Sequence, residues 1–269
     1  MTLKEAALSI RENTLRCISS IGVGHIGGCL SIADILAVLY FKHMNVDSSN
    51  PKKENRDRLV VSKGHAGPAV YATLALKGYF PIEMLDTLNQ SGTNLPSHCD
   101  MRKTPGIDMT AGSLGQGLSC AVGIALASRL ANDGAYTYAI IGDGESQEGQ
   151  IWEAAMYAGN QKLNRLIVFT DYNDLQIDGK VSEVNGLEPL KDKWESFNFN
   201  TIVVDGHNLD ELDNAIISAK KQDKPTMIIA KTTKGKGVSF IEEKGAGNHN
   251  APFSKEDYEQ AIEELRRNV

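Results

Sequence analysis

The sequence predicts an α/β protein built on a doubly wound, mostly parallel sheet with helices on both faces. Two observations carry that prediction. Five short runs, Leu59–Val61, Tyr136–Ile141, Leu166–Thr170, Thr201–Val204 and Thr226–Ala230, are rich in apolar residues, as strands buried on both faces are. Between the later ones lie helical stretches, Leu114–Ala131, Glu148–Leu163 and Leu209–Lys221. Strands alternating with helices of that length form βαβ units, and parallel neighbours need such crossovers. Ligands of these sheets sit beyond the carboxyl ends of the strands.

The remaining elements follow in order. Thr2 to Ser20 places Leu3, Ala7, Ile10, Thr14 and Ile18 at helical spacing, with Thr2 and Glu5 set as a capping box. Ser31 to Met44 repeats the pattern, with Ser31 as the expected N-cap and His43 on the helix as a structural residue. Lys234 to Asn250, rich in Gly and Lys, is expected to be a mobile loop over a site, and a last helix starts at Ser254. No repeat, low-complexity segment or linker interrupts the chain, so a single domain over 1–269 is expected.

Composition narrows the function. With 269 residues, 41% hydrophobic and 23% charged, the chain is of ordinary globular type. Its 28 Lys+Arg against 34 Asp+Glu give a formal charge of −6, which offers no basic surface to nucleic acid. The start, Met1-Thr2-Leu3-Lys4-Glu5, lacks the basic-then-apolar order of a secretory leader, and no unbroken run of 18 apolar residues occurs. The expectation is a cytoplasmic protein without membrane contact. Cys17, Cys29, Cys99 and Cys120 form no Cys-x-x-Cys pair, so reduced thiols are expected.

The strongest chemical signal follows the strand Tyr136–Ile141: Gly142-Asp143-Gly144-Glu145-Ser146-Gln147-Glu148-Gly149 leads into a helix. Glycines there admit close approach of a ligand, and a helix start offers free N–H groups to an anion. Asn173 ends the next strand, with 28 residues between it and Gly144. One crossover takes about that length, so Asp143 and Asn173 should emerge side by side. Magnesium takes a few oxygens from protein and the others from phosphate and water; Asp143, Asn173 and a backbone carbonyl just beyond would suit it. The alternative is an Asp capping a helix and an Asn in a turn, against which the joint spacing argues.

Five of the six histidines lie in Gly- or Asn-flanked, loop-like settings, at His25, His65, His98, His207 and His249. A neutral imidazole both donates and accepts hydrogen bonds, which suits proton transfer among hydroxyls and a carbonyl. A structural role is the default for any one of them, but as a set they point to one site.

The strings Gly142 to Ala154 and Asp171-Tyr172-Asn173-Asp174-Leu175-Gln176-Ile177-Asp178-Gly179 resemble the thiamine-diphosphate motif of transketolases, and the resemblance extends over essentially the whole chain. It implies transfer of a two-carbon ketol unit from a ketose to an aldose, both commonly phosphorylated, with thiamine diphosphate and Mg2+ (Ca2+ or Mn2+ in its stead). It further implies that His25, His98 and His249 surround the sugar, that His249 and His65 lie by the diphosphate, and that Gly112 and Leu114 meet the aminopyrimidine. Asp143, Asn173 and the Leu175 carbonyl would be metal ligands, Gly144 a diphosphate contact, Ile177 an apolar wall, and Glu148 a glutamate buried at a subunit interface. His207 lies in a shared motif and is read as structural. Ser97-His98-Cys99 departs from the usual Gly-His-Pro.

Transketolases carry two further domains after this region, one of which supplies the glutamate that bonds the aminopyrimidine. The chain therefore resembles the N-terminal subunit of a split transketolase in an α2β2 assembly, with residues 2–20 and 148–163 as candidate interface helices. Alternatives are a subunit of a 2-oxoacid decarboxylating or deoxyxylulose-phosphate synthase-like enzyme, or a noncatalytic protein that keeps the fold.

Overall fold

The computed structural model describes residues 1–267. Five strands form one parallel sheet: β1 (Arg58–Val61), β2 (Thr137–Gly142), β3 (Leu166–Tyr172), β4 (Asn200–Asp205) and β5 (Thr226–Lys231), in the order β1-β2-β3-β5-β4. All five lie where the apolar runs place them. Alternate side chains enter two cores. Tyr138, Ile140, Ile167, Phe169 and Ile228 face one, while Ala139, Ile141, Val168, Met227 and Ile229 face the other. The sheet is thus covered on both faces, and each fully buried aliphatic side chain contributes about 1.5–3 kcal/mol.

The first core is closed by α1 (Leu3–Ser19), α2 (Ile26–Leu30), α3 (Ala33–Val38), α4 (Gly67–Leu76) and, between β4 and β5, a helix at Leu209–Ala219. The second is closed by α5 (Gln116–Ala131), α6 (Gly149–Asn160) and α7 (Leu190–Ser196). With the first-core helix Leu209–Ala219 as α8, the chain ends in α9 (Lys255–Arg267). The capping box of α1 forms as expected: Glu5 N–H donates to Thr2 Oγ1 at 3.2 Å and Thr2 N–H to Glu5 Oε2 at 2.7 Å.

Three expectations need correction. Ser31 is not an N-cap but closes α2 at its C-terminal end: the stretch breaks into α2 and α3, α3 starts after Ile32 and runs into a π turn, Leu39–His43. The Ser31 hydroxyl donates instead to Asp171 at 2.7 Å, because a fully buried carboxylate demands donors. Lys234–Asn250 is pinned rather than loose. It contains a helical turn at Ser239–Glu242 and a 3₁₀ turn at Gly245–Asn248, and Asn248 Nδ2 donates to the carbonyls of Lys234 and Ile241 at 3.2 and 2.9 Å. Finally, α1 is a poor interface candidate, because its apolar face is spent on α3, α4 and α9. The region 148–163 does present exposed apolar groups, Met156 at 60% and Tyr157 at 45%.

One stretch, Ile26–His43, is long and apolar enough to cross a membrane, with mean hydropathy 1.4, but 83% of it is buried inside the chain. His43 bonds Asp213 at 2.7 Å and serves the packing of this stretch on α8.

The register sets the site. Gly142 pairs with Asp171, and Asp171 with Ala230, so β2, β3 and β5 end level. The residues just beyond them meet at one edge of the sheet.

Candidate active site

At that edge lies a cleft of about 500 Å³ lined by His25, His65, His98 and His249 together with Gly112, Leu114, Asp143, Gly144, Glu148, Asn173, Leu175 and Ile177. Segments far apart in sequence therefore deliver every singled-out site residue to one place. The imidazoles form a cluster, with His25 ring centroids 5.2, 5.7 and 5.4 Å from His65, His98 and His249, and His65 5.0 Å from His249. The unusual Ser97-His98-Cys99 loop does not displace His98 from it.

Burial disfavours the charged form of each imidazole. It pushes His25 down to about 4, with help from His98 and Lys234, and His249 to about 4, with help from Lys234. His65 falls to about 2 through burial and the nearby Lys63, and His98 also falls through burial. All four are neutral at pH 7, each with a donor and an acceptor. Lys234 Nζ lies 3.2 Å from His249 Nδ1; the ammonium donates, so the His249 proton sits on Nε2.

The deep end of the cleft is ionic. Asp143, 3% exposed, accepts from the backbone N–H groups of Gly144, Asn173 and Asp174 at 2.7, 2.8 and 2.6 Å. Asp174 takes φ 57°, a left-handed turn that brings these amides round. Burial, then the neighbouring Asp171, pushes Asp143 up to about 7. Burial also raises Asp171, but Lys63 and its hydrogen bonds outweigh it and leave Asp171 below its ordinary value. Lys63 Nζ donates to Asp171 at 2.6 Å and to the Gly28 carbonyl at 2.7 Å.

The donor set fits a divalent cation. Asp143 is a buried carboxylate with no ion-pair partner among the described residues, Asn173 offers an amide oxygen two residues past Asp171, and the Leu175 carbonyl already accepts from a cation, the Lys234 ammonium, at 3.1 Å. Carboxylate, amide and carbonyl oxygens are the ligands of Mg2+ and Ca2+. No cluster of three or more His, Cys, Asp or Glu suited to a metal occurs among the described residues.

Sequence reasoning missed four residues here. Glu145, 3% exposed, accepts from Ser62 Oγ, from Gly115 N–H at 2.8 Å and from Gly142 N–H at 3.0 Å, tying three site segments together. Lys63, Asp171 and Lys234 are the others. The available signal was a charged residue at the carboxyl end of an apolar strand, where a parallel sheet has no solvent to offer it. Glu148 borders the cleft at the start of α6 and is exposed in the single chain, so its expected burial at a subunit interface would have to come from a partner. Ile177 also stands exposed, at 69%, on the rim.

The expectation that all five loop histidines converge is corrected at one of them: His207 lies outside the cleft. Its Nδ1 bonds Asp34 at 2.8 Å and its Nε2 accepts from Thr233 N–H at 2.8 Å.

Comparison with known proteins agrees with this geometry. Residues 3–268 match the family described as transketolase, thiamine diphosphate binding domain. A 6-deoxy-6-sulfo-D-fructose transketolase subunit of Clostridium sp. (strain MSTE9) is 58% identical over 98% of this chain and 96% of its own length. An apulose-4-phosphate transketolase subunit of Phocaeicola vulgatus is 40% identical over 100% and 95%. The solved structure of a transketolase from Leishmania mexicana superposes with a TM-score of 0.93 at 33% identity, covering 99% of this chain and 41% of that one. The chain thus spans about two fifths of a full-length transketolase but nearly all of the two shorter relatives. It belongs to the transketolase family, and corresponds to the N-terminal, thiamine-diphosphate-binding part that those shorter relatives carry as a separate polypeptide.

Proposed function

We propose that this chain is the diphosphate-holding subunit of a two-chain transketolase, active with a second subunit that provides the pyrimidine-binding domain and its glutamate, in an α2β2 assembly. The observation that carries the reading is the cleft itself: four neutral histidines share it with a buried carboxylate that has no ion-pair partner and with amide and carbonyl oxygens. The α6 surface with Met156 and Tyr157 is the face offered to an assembly partner.

Thiamine diphosphate, when bound, supplies the carbon nucleophile and electron sink for breaking and remaking a carbon–carbon bond. The chain's residues do the rest. Asp143, Asn173 and the Leu175 carbonyl hold Mg2+, while His65, Gly144 and Lys234 face the diphosphate. His25, His98 and His249, uncharged at working pH, orient the sugar hydroxyls and hold or pass on the carbonyl and hydroxyl protons without placing charge in the cleft. Gly112, Leu114 and Ile177 form the less polar wall.

The 58% identical relative is named for a sulfonated ketose, so 6-deoxy-6-sulfofructose is the first donor to try and ketose phosphates the second. The test is to purify the chain with its partner, titrate thiamine diphosphate and Mg2+ by calorimetry, and assay ketose-to-aldose transfer beside 2-oxoacid decarboxylation. Transfer with cofactor dependence supports the reading. Decarboxylation alone moves the protein to the 2-oxoacid class, and failure to bind the cofactor leaves a noncatalytic role. A cytoplasmic location belongs to the same proposal, and cell fractionation tests it.

A further inference from the structure

The motif Asp205-Gly206-His207-Asn208 is unused by the chemistry above, and His207 borders a groove remote from the histidine cluster. Its bonds nevertheless lead back to the active site. The segment Thr232–Lys236 follows the end of β5 and brings Lys234 into the lining of the cleft. Thr232 Oγ1 donates to Asp171, Lys234 reaches Leu175 and His249, and Gly235 N–H donates to the Gly27 carbonyl, two residues past His25, at 3.0 Å. From the other side Thr233 N–H is held by His207 Nε2 at 2.8 Å, and the Lys236 carbonyl by Arg11 Nε at 3.1 Å.

His207 and Arg11 are joined through Asp34. The guanidinium donates to both Asp34 oxygens, at 3.1 and 2.5 Å, and His207 Nδ1 lies 2.8 Å from Oδ2. Burial raises Asp34, but Arg11 and His207 together leave it below its ordinary value, so it is an ionised acceptor. Because the Thr233 N–H donates to Nε2, that nitrogen carries no proton, and the ring proton sits on Nδ1 toward Asp34. The motif sits close enough for these bonds because Gly206 has no side chain: a Cβ there would lie 2.5 Å from Thr232 Cγ2 and 3.0 Å from the Lys231 carbonyl oxygen.

We propose that His207 is a positioning residue, which acts through the Thr233 amide to set the place of Lys234 and thereby the affinity of the cleft for the cofactor's diphosphate. The inference rests on the transketolase reading. Its structural logic parallels that of outer-shell carboxylate–histidine supports, whose loss costs about 10–100-fold in affinity.

The test uses two substitutions in the two-subunit complex. Gln places its amide oxygen near the Nε2 position and can still accept from Thr233, whereas Asn reaches only the Nδ1 position. His207→Asn should raise the Kd for thiamine diphosphate, measured with saturating Mg2+, by about 10–100-fold, with kcat at saturating cofactor within about twofold. His207→Gln should return Kd to within about threefold of wild type. Hydrogen exchange across 231–237 should quicken in the Asn variant and not in the Gln variant, which reads the bond to Thr233 without any cofactor. Equal Kd shifts in both variants, or none in either, overturn the inference; if His207→Asn fails to assemble, a Gln variant that fails too does the same. A wild-type complex that binds no thiamine diphosphate instead overturns the functional reading, while the exchange arm still decides whether His207 holds the segment.

Discussion

Asp143→Asn offers a quantitative test of the cation site. In the metal-free chain the Asp143 carboxyl holds its proton up to about pH 7 against an ordinary 3.8. At about 1.36 kcal/mol per pH unit, that gap corresponds to on the order of 4 kcal/mol. The folded state binds this proton more tightly than the unfolded state. The stabilisation is therefore complete below pH 3.8 and is lost as pH rises through about 7. More than half of the loss falls between pH 5 and pH 8. Asn cannot ionise, so this slope should vanish. Its single oxygen cannot serve three amides held by two carboxyl oxygens, which costs about 1–3 kcal/mol relative to the protonated wild-type carboxyl. Urea unfolding in the presence of a chelator should then show the variant clearly weaker at pH 5 and level with or above wild type at pH 8. A divalent cation with thiamine diphosphate, added to the complex, should stabilise wild type at pH 8 and leave the variant unmoved. Parallel wild-type and variant curves would mean that Asp143 is an ordinary ionised carboxylate, and the argument for a cation there would fail.

Lys63→Met should destabilise the chain by about 3–5 kcal/mol in urea, because it strands Asp171 without its buried partner; pairing it with Asp171→Asn should recover part of the loss, and additive losses would refute the coupling. His25→Ala should lower kcat for ketol transfer by about 10²–10⁴-fold with the cofactor Kd little changed, so a variant that loses cofactor binding instead places His25 on the diphosphate. Gly159→Ala should unfold or strongly destabilise the chain, since a Cβ on α6 would lie 1.7 Å from the Phe197 carbonyl oxygen; a melting temperature within a few degrees of wild type contradicts that packing.

The linear chain is informative wherever a residue's role depends on its near neighbours. The Thr2–Glu5 capping box, the five apolar strands and the loops that carry His25, His65, His98 and His249 are local patterns, and each lies in the structure where the pattern puts it. Ser31 departs from its pattern for the opposite reason: its residue type suits a cap, but the group that claims it, Asp171, is 140 positions away. Glu145 escapes a linear reading for the same reason: its three donors come from segments at 62, 115 and 142.

The order of residues alone determined the α/β architecture and the pairing of Asp143 with Asn173, because periodicity and strand-to-strand spacing are properties of a chain read along its length; which of the five loop histidines meet was decided in space, since His207 stays outside the cleft. Only tertiary structure decided which charges go without solvent. Lys63 beside Asp171, Lys234 at the Leu175 carbonyl and His207 beneath Thr233 are set by which strand ends stand level and which loops cross them. Hydrogen bonding and desolvation act over a few ångströms of space, whatever the separation in sequence.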